Sequence, residues 1–156
     1  MAKRLTHDLT YDAPIEAVRA MLLDEEFRRS VAVEQRALRS DVSITGGDVT
    51  FETVQPAKGI PSFAKKFVGD EITVVQKETW SATDADIHVT IPGKPGEMVG
   101  TAKLRGSDAR TVETVDLEIK VSIPLVGGKI EGLVADMLLK ALKAENRAGV
   151  AWLAKA

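Results

Sequence analysis

Cysteine is absent from this sequence of 156 residues. The chain can therefore form no disulfide framework, no thiolate nucleophile and no thiolate metal site, and it is compatible with a reducing compartment. Histidine is scarce as well, and its two copies do not fall in a familiar zinc-binding spacing. We expect neither a metal site nor a cofactor.

Aromatic residues make up only 4% of the sequence, which leaves few rings on which nucleic-acid bases could stack. Charge of one sign is not concentrated either. The 21 basic and 23 acidic residues are interspersed, without a block of about five or six like charges. We do not expect a nucleic-acid partner, and an internal site would have mainly aliphatic walls.

Long hydrophobic runs are missing too. No stretch approaches the roughly 18 consecutive apolar residues that a transmembrane helix needs, and the opening residues, MAKRLTHDLTYDAP, hold no apolar run of signal-peptide length. We expect a cytoplasmic protein without integral membrane association. Apolar residues nevertheless make up 44% of the sequence, enough for the core of one ordinary domain, which we place over residues 1–156.

Hydrophobic periodicity predicts an α+β protein. Alternation predicts a first strand in KRLTHDLTY, and the spacing changes to that of helices in DAPIEAVRAMLL and DEEFRRSVAVEQ. From Arg36 onward, strand-like segments are joined mostly by short turns, which favours antiparallel neighbours. After PLVGG, a period of about 3.6 predicts a long C-terminal helix with one broad apolar face. The predicted order is β-α-α-β-β-β-β-β-β-α, with about seven strands.

Two connections carry more specific expectations. In SITGGDVT, Gly46 and Gly47 are expected to supply the positive φ angles of a tight hairpin turn. The segment QPAKGIPSFAKKFVG is interrupted by prolines and glycine, and we interpret it as a long loop with one helical turn around Phe63. Long loops within compact domains are often functional lids.

Several motifs resemble one known superfamily. The opening YDAPIEAVRAML resembles the strand-to-helix signature of the START-like (SRPBCC) helix-grip superfamily, which includes polyketide cyclases and plant hydrophobic-ligand carriers of the Bet v type. The segments IPSFAKKFVG, ETW, IPGKPGEMVGTAKL, VSIPLVGGKIE and AENRAGVAWL together resemble an uncharacterised bacterial family within it, over nearly the whole chain. The resemblance implies a curved antiparallel sheet wrapped around the C-terminal helix. It implies no reaction, because the superfamily hosts binders, cyclases, hydrolases and co-chaperones.

Glu145 is the most unusual residue of the C-terminal helix, because it falls between Leu138 and Trp152 on the apolar face. Burying an unpaired carboxylate is costly or raises its pKa. One interpretation is that the helix end frays or that the carboxylate reaches a lysine or arginine at the surface. The other is that Glu145 faces a cavity and binds a polar group of a ligand.

Polar residues also interrupt two predicted strands. His7 shares the apolar face of the first strand, so it is either a satisfied core or rim residue or part of a site. In ITVVQKETW, Gln76, Glu78 and Trp80 lie on one side of the strand. That side either lines a cavity, where the two polar side chains orient a ligand, or faces water while the opposite side enters the core.

Small residues on the inner face of the predicted sheet indicate where space could remain between the sheet and the C-terminal helix. Gly100 and Ala102 lie on the expected inner face of MVGTAKL and either leave room for a ligand or let the helix pack closely. Met137, Ala141 and Trp152 belong to the apolar face of the C-terminal helix. The candidate ligand-binding residues are therefore Glu145, His7, Gln76, Glu78, Trp80, Gly100, Ala102, Met137, Ala141 and Trp152.

These observations predict a protein that binds a small hydrophobic molecule or lipid between the sheet and the C-terminal helix, as a monomer or homodimer. One alternative is a cyclase, dehydratase or isomerase acting on a polyketide-like or cyclic carbonyl compound, with His7 or Glu145 as general acid-base. A third hypothesis is a module that meets a partner protein or a membrane surface. Its contact would be the loop in which Lys65 and Lys66 lie between two phenylalanines.

Overall fold

The computed structural model describes residues 2–155, which form one antiparallel sheet and four helices. The strands are β1 (Lys3–Tyr11), β2 (Arg39–Thr45), β3 (Asp48–Pro56), β4 (Glu71–Trp80), β5 (Asp84–Thr90), β6 (Glu97–Gly106) and β7 (Thr111–Lys120). The helices are α1 (Ile15–Leu22), α2 (Glu25–Glu34), α3 (Ser62–Val68) and α4 (Gly127–Lys155). Across the sheet the order is β1-β7-β6-β5-β4-β3-β2. This confirms the α+β helix-grip architecture and the predicted order of strands, with α3 as an addition.

A side-chain cap explains where α2 begins. Asp24 precedes the helix in an extended conformation, and its carboxylate accepts hydrogen bonds from the backbone N–H groups of Glu26, at 2.8 Å, and Phe27. Such a cap satisfies amide groups that the first turn of a helix leaves without partners. Phe27, Val31 and Ala32 then bury one face of α2, which packs against α4.

Two connections differ from the sequence-based expectation. The segment expected to hold one helical turn forms the seven-residue helix α3. In the β2–β3 turn, Gly46 has the expected positive φ of 60°, whereas Gly47 does not adopt a positive φ. Gly47 is needed for another reason, because a Cβ atom there would lie 2.4 Å from the carbonyl oxygen of Trp80. Only glycine permits this close approach to the end of β4.

The core lies between the inner face of the sheet and helices α1, α2 and α4. Inward-facing residues alternate along the strands, as Ile87 does on β5 and Leu117 on β7. The second half of α4 buries the small residues Ala144, Ala148 and Gly149 against this core. The first half of α4 buries Ala135 in the core as well, and it also borders a cavity.

Candidate functional site

A cavity of about 500 Å³ lies between helix α3, the first half of α4 and the sheet. Its wall also includes the β3–α3, β5–β6 and β7–α4 connections. Most of its lining is apolar and includes Ile60, Phe67, Ile72, Ile91, Met98, Val121, Ile123, Ile130, Leu133, Val134 and Met137. The volume falls within the range of about 300–1,000 Å³ that is typical of small-molecule sites.

The opening of this large cavity is basic. Four exposed lysines contribute to its lining, namely Lys58, Lys94, Lys140 and Lys143. Asp136 is the one acidic residue among the lining residues. A lysine can pack its methylene stem on apolar surface while its ammonium group stays in water. The large cavity therefore combines an apolar interior with a positively charged edge.

Helix α3 closes one side of the large cavity through Ala64 and Phe67. The ammonium group of Lys66 lies 5.2 Å from the centroid of the Phe67 ring, and that of Lys129 lies 5.8 Å from the centroid of the Phe63 ring. Both distances suit a cation–π contact. The two phenylalanines are half-buried, so they hold this segment against the domain.

A second polar region lies toward the other end of the inner face, around Arg28. We call Arg28, Glu78, Glu113 and Glu145 the ionic cluster; each is buried, with at most 6% exposed. The guanidinium group of Arg28 donates to both carboxylate oxygens of Glu78, at 2.8 and 3.2 Å. Its Nε donates to the carbonyl oxygen of Leu22 at 2.9 Å. Such bidentate geometry is what allows a buried ion pair to offset the loss of hydration.

Glu78 is the best-partnered carboxylate of the ionic cluster. The indole Nε1 of Trp80 donates to it at 2.8 Å, and the side-chain amide of Gln76 also donates to it. Burial opposes the ionisation of Glu78, but the charge of Arg28 and these hydrogen bonds hold its pKa below the ordinary value. Glu78 is therefore an ionised group whose partners all come from this chain.

Glu145 and Glu113 are less well partnered. Oε1 of Glu145 lies 3.8 Å from Nη1 of Arg28, too far for a hydrogen bond. Burial raises the pKa of Glu145 to about 7; the charge of Arg28 opposes this rise and that of Glu78 adds to it. Burial, followed by the charges of Glu145 and Glu78, raises the pKa of Glu113 well above its usual range. Within residues 2–155, Oε1 of Glu113 and the hydroxyl of Tyr11 are buried without a hydrogen-bond partner.

A second cavity beside the ionic cluster measures only about 30 Å³. Its polar lining residues are Gln35, Gln76 and Glu145, and the rest of its wall is apolar. This volume is room for about one water molecule. An organic ligand does not fit beside Glu145 in this arrangement.

The structure divides the predicted site residues between these regions. Met137 lines the large cavity. The residues that line the small cavity are Gln76, Ala141 and Glu145. Those that bond to one another around Arg28 are Gln76, Glu78 and Trp80. The side of β4 that holds Gln76 and Glu78 is thus its inner side, one of the two orientations that the sequence left open.

His7 and Trp152 line neither cavity. His7 is half-buried on the inner face of β1, opposite Val115 of β7. Trp152 packs edge-on against Phe27, with ring centroids 5.6 Å apart and ring planes at 68°. Offset aromatic contacts of this kind stabilise a core beyond the area that they bury. Trp152 therefore holds the end of α4 against α2.

Gly100 and Ala102 also lie away from both cavities. Ala102 is fully buried. A Cβ atom on Gly100 would lie 1.8 Å from the carbonyl oxygen of Asp116 on β7. Gly100 therefore allows β6 to approach β7 closely, rather than leaving volume beneath the helix.

Two members of the ionic cluster, Arg28 and Glu113, are not among the predicted site residues, although each has a recognisable signal in the sequence. Arg28 precedes Val31 by three positions, which places it on the apolar face of α2. Glu113 alternates with Val115, which places it on the inner face of β7. The lysines in the connections around the large cavity have no such signal in the sequence. Their position at the cavity depends on how segments that are distant in the sequence fold together.

The part of the chain that the structure describes contains no group of three or more histidine, cysteine, aspartate or glutamate residues placed to hold a metal ion. Between residues 2 and 155, no helix is long and apolar enough to cross a membrane.

The sequence is similar to a known protein family and to individual mycobacterial proteins. Residues 6–153 match the family described as "Protein of unknown function (DUF2505)". The uncharacterized protein Rv0481c of Mycobacterium tuberculosis (strain ATCC 25618 / H37Rv) is 27% identical over 120 residues, which cover 70% of this chain and 69% of that protein.

Two solved structures show the same architecture at lower identity. TTHA0849 from Thermus thermophilus is 18% identical, with a TM-score of 0.67 over 96% of this chain and 98% of that chain. Norcoclaurine synthase from Thalictrum flavum is 12% identical, with a TM-score of 0.64 over 94% of this chain and 86% of that chain. At such identities the likeness shows the fold alone. It confirms the START-like helix-grip fold that the sequence motifs resemble.

Proposed function

This chain belongs to the DUF2505 family, and we propose that it binds a small, largely apolar molecule in the large cavity and carries, senses or sequesters it. The observation that carries the proposal is the cavity of about 500 Å³ with its mainly apolar lining. Removing apolar surface from water is favourable by about 25 cal/mol per Å². Such a cavity therefore supplies affinity without any reactive group.

The size of the large cavity supports a role in binding. Protein interiors are close-packed, and voids larger than a water molecule are few. By comparison, the small cavity beside the ionic cluster measures only about 30 Å³. A void of about 500 Å³ is far larger than a packing defect and is wide enough for an organic molecule.

The enzymatic alternative requires an acid-base group that a substrate can reach. Glu145, with a pKa of about 7, has the proton affinity that suits general acid-base work near neutral pH. It borders the small cavity, however, and no member of the ionic cluster lines the large one. The geometry therefore favours binding over catalysis.

The test is a fluorescence titration with N-phenyl-1-naphthylamine, an uncharged probe that emits in apolar surroundings. In the variant Val134→Trp, an indole fills part of the large cavity, because Val134 lines it. Val150→Trp is the matched control: it places the same side chain on the same helix, at a position that is 54% exposed and away from the cavity. Wild type and Val150→Trp should bind the probe saturably, and Val134→Trp should lose this binding.

Circular dichroism spectra and unfolding midpoints show whether the variants keep the fold. The proposal is wrong if the folded wild-type protein gives no saturable signal. It is also wrong if the folded Val134→Trp variant binds the probe as tightly as the wild type.

A further inference from the structure

The four lysines at the opening of the large cavity come from separate parts of the chain. Lys58 lies in the β3–α3 connection and Lys94 in the β5–β6 connection, while Lys140 and Lys143 lie on α4. The fold therefore brings positive charge to this opening from three directions. None of the four forms an ion pair with another residue between 2 and 155.

This opening differs in charge from the protein as a whole. The chain has a formal net charge of −2, whereas the lining of the large cavity contains four lysines and one acidic residue. Two exposed arginines of the sheet do have acidic partners, since Arg39 pairs with Glu71 and Arg4 with Asp116. Unpaired positive charge around a concave apolar site attracts and orients anions.

The interior and the opening together define the chemistry of a ligand. The interior accepts an apolar body, and the exposed lysines lie at the edge, where a polar head group remains in contact with water. We infer that the preferred ligand is a single-chain amphiphile with an anionic head group, such as an alkyl carboxylate. Its chain occupies the large cavity and its head group lies among Lys58, Lys94, Lys140 and Lys143. This inference rests on the proposed function and assigns a chemical class to the ligand of the same site.

Displacement of N-phenyl-1-naphthylamine by three ten-carbon compounds tests the inference. Decanoate, decanol and decylamine share one alkyl chain and differ in the charge of the head group at neutral pH. We expect decanoate to displace the probe at about five- to tenfold lower concentration than decanol in low salt, with decylamine the weakest. In roughly 0.5 M salt the Debye length falls to about 4 Å, so the advantage of decanoate should largely disappear.

Paired variants show whether the lysines at the opening cause this preference. The double variant Lys140→Gln/Lys143→Gln removes two of the lining charges. The matched control, Lys77→Gln/Lys103→Gln, removes two exposed charges from strands β4 and β6, away from the cavity. The first variant should reduce the preference for decanoate over decanol by about two- to fivefold and leave decanol unchanged. The control should keep the wild-type preference.

The possible outcomes separate this inference from the proposed function. If decanol displaces the probe but decanoate is no better in low salt, the anionic class is wrong and the apolar site remains. If the two double variants behave alike, these lysines do not recognise the head group. If wild-type protein does not bind the probe at all, the proposed function and this inference both fail.

Discussion

The two halves of α4 meet the rest of the domain in opposite ways. The first half contributes Ile130, Val134 and Met137 to a cavity of about 500 Å³. The second half places Glu145 in the ionic cluster and Gly149 against the ring of Tyr11, with no space of comparable size. The first half of α4 thus forms one wall of the large cavity, and the second half packs tightly against the core.

This difference shows that a polar residue on an apolar face does not by itself mark a binding site. Glu78 and Glu145 have Arg28 of the same chain as their charged partner. The cavity that can hold a ligand is formed instead where the inward side chains are uniformly apolar and the charges stay at the edge. Burial of polar groups requires partners, whereas an empty apolar cavity requires only that its walls be held apart.

The largest loss of stability is expected when the carboxylate of Glu78, to which Arg28 donates, is removed from the ionic cluster. We expect Glu78→Gln to destabilise the fold by about 3–5 kcal/mol, because it leaves a buried guanidinium without the one carboxylate that forms hydrogen bonds with it. Urea unfolding at neutral pH measures this effect. Glu71→Gln is the matched control, since it removes the glutamate of an exposed arginine pair. Equal unfolding midpoints for these two variants would contradict the role assigned to the ionic cluster.

The pH dependence of stability is the next largest effect. The folded state raises the pKa of Glu145 from 4.5 to about 7, so it holds this proton more tightly than the unfolded chain does. Protonated Glu145 therefore contributes fully to the free energy of unfolding below about pH 4.5. This contribution falls as the pH rises to about 7 and is lost above that. The loss is on the order of 3 kcal/mol. Glu113, whose pKa is also raised, acts in the same direction.

Urea unfolding of the wild type and Glu145→Gln between about pH 4.5 and 8 measures this dependence. Glu145→Gln should show a clearly flatter profile, with the slope that remains due to Glu113. A free energy of unfolding that rises steadily from pH 4.5 to 8 in the wild type would contradict the raised pKa values of Glu145 and Glu113.

Glycine substitutions compare the packing of the two halves of α4 directly. A Cβ atom on Gly149 would lie 2.4 Å from Cε1 of Tyr11, whereas a Cβ atom on Gly132 would meet nothing within 4 Å. Gly149→Ala should therefore destabilise the fold by about 1–3 kcal/mol through overpacking. Gly132→Ala should stabilise it by roughly 0.5–1 kcal/mol, because alanine favours a helix. Thermal unfolding of both variants checks these signs, and effects of the same sign would contradict the comparison.

Much of the fold follows from the period of the hydrophobic pattern. Strand and helix periods predict the order of elements and the long C-terminal helix, and they place Gln76, Glu78 and Glu145 on apolar faces. Periodicity states which side of an element a residue occupies, but not how deeply the side chain is buried or which residue it meets. The pairing of Glu145 and Glu78 with Arg28 depends on how α2, β4 and α4 come together, which the spacing within one element does not reveal.

The large cavity was harder to locate from the sequence for the same reason. Its wall combines α3 with three connections and the first half of α4, and no periodic pattern links these segments. Met137 is the one predicted site residue that lines it. The expected loop around Phe63 does contribute, through the helix α3, because Phe67 faces the cavity.

The most direct test of whether the ligand binds in the large cavity is a map of amide chemical-shift changes as N-phenyl-1-naphthylamine is added to isotopically labelled protein. We expect the largest changes in residues 56–68, 94–98 and 130–143, which surround the large cavity, and little change at Arg28, Glu78 and Glu113. The largest changes around Gln76 and Glu145, with the residues of the large cavity unaffected, would contradict this expectation and place the ligand at the ionic cluster.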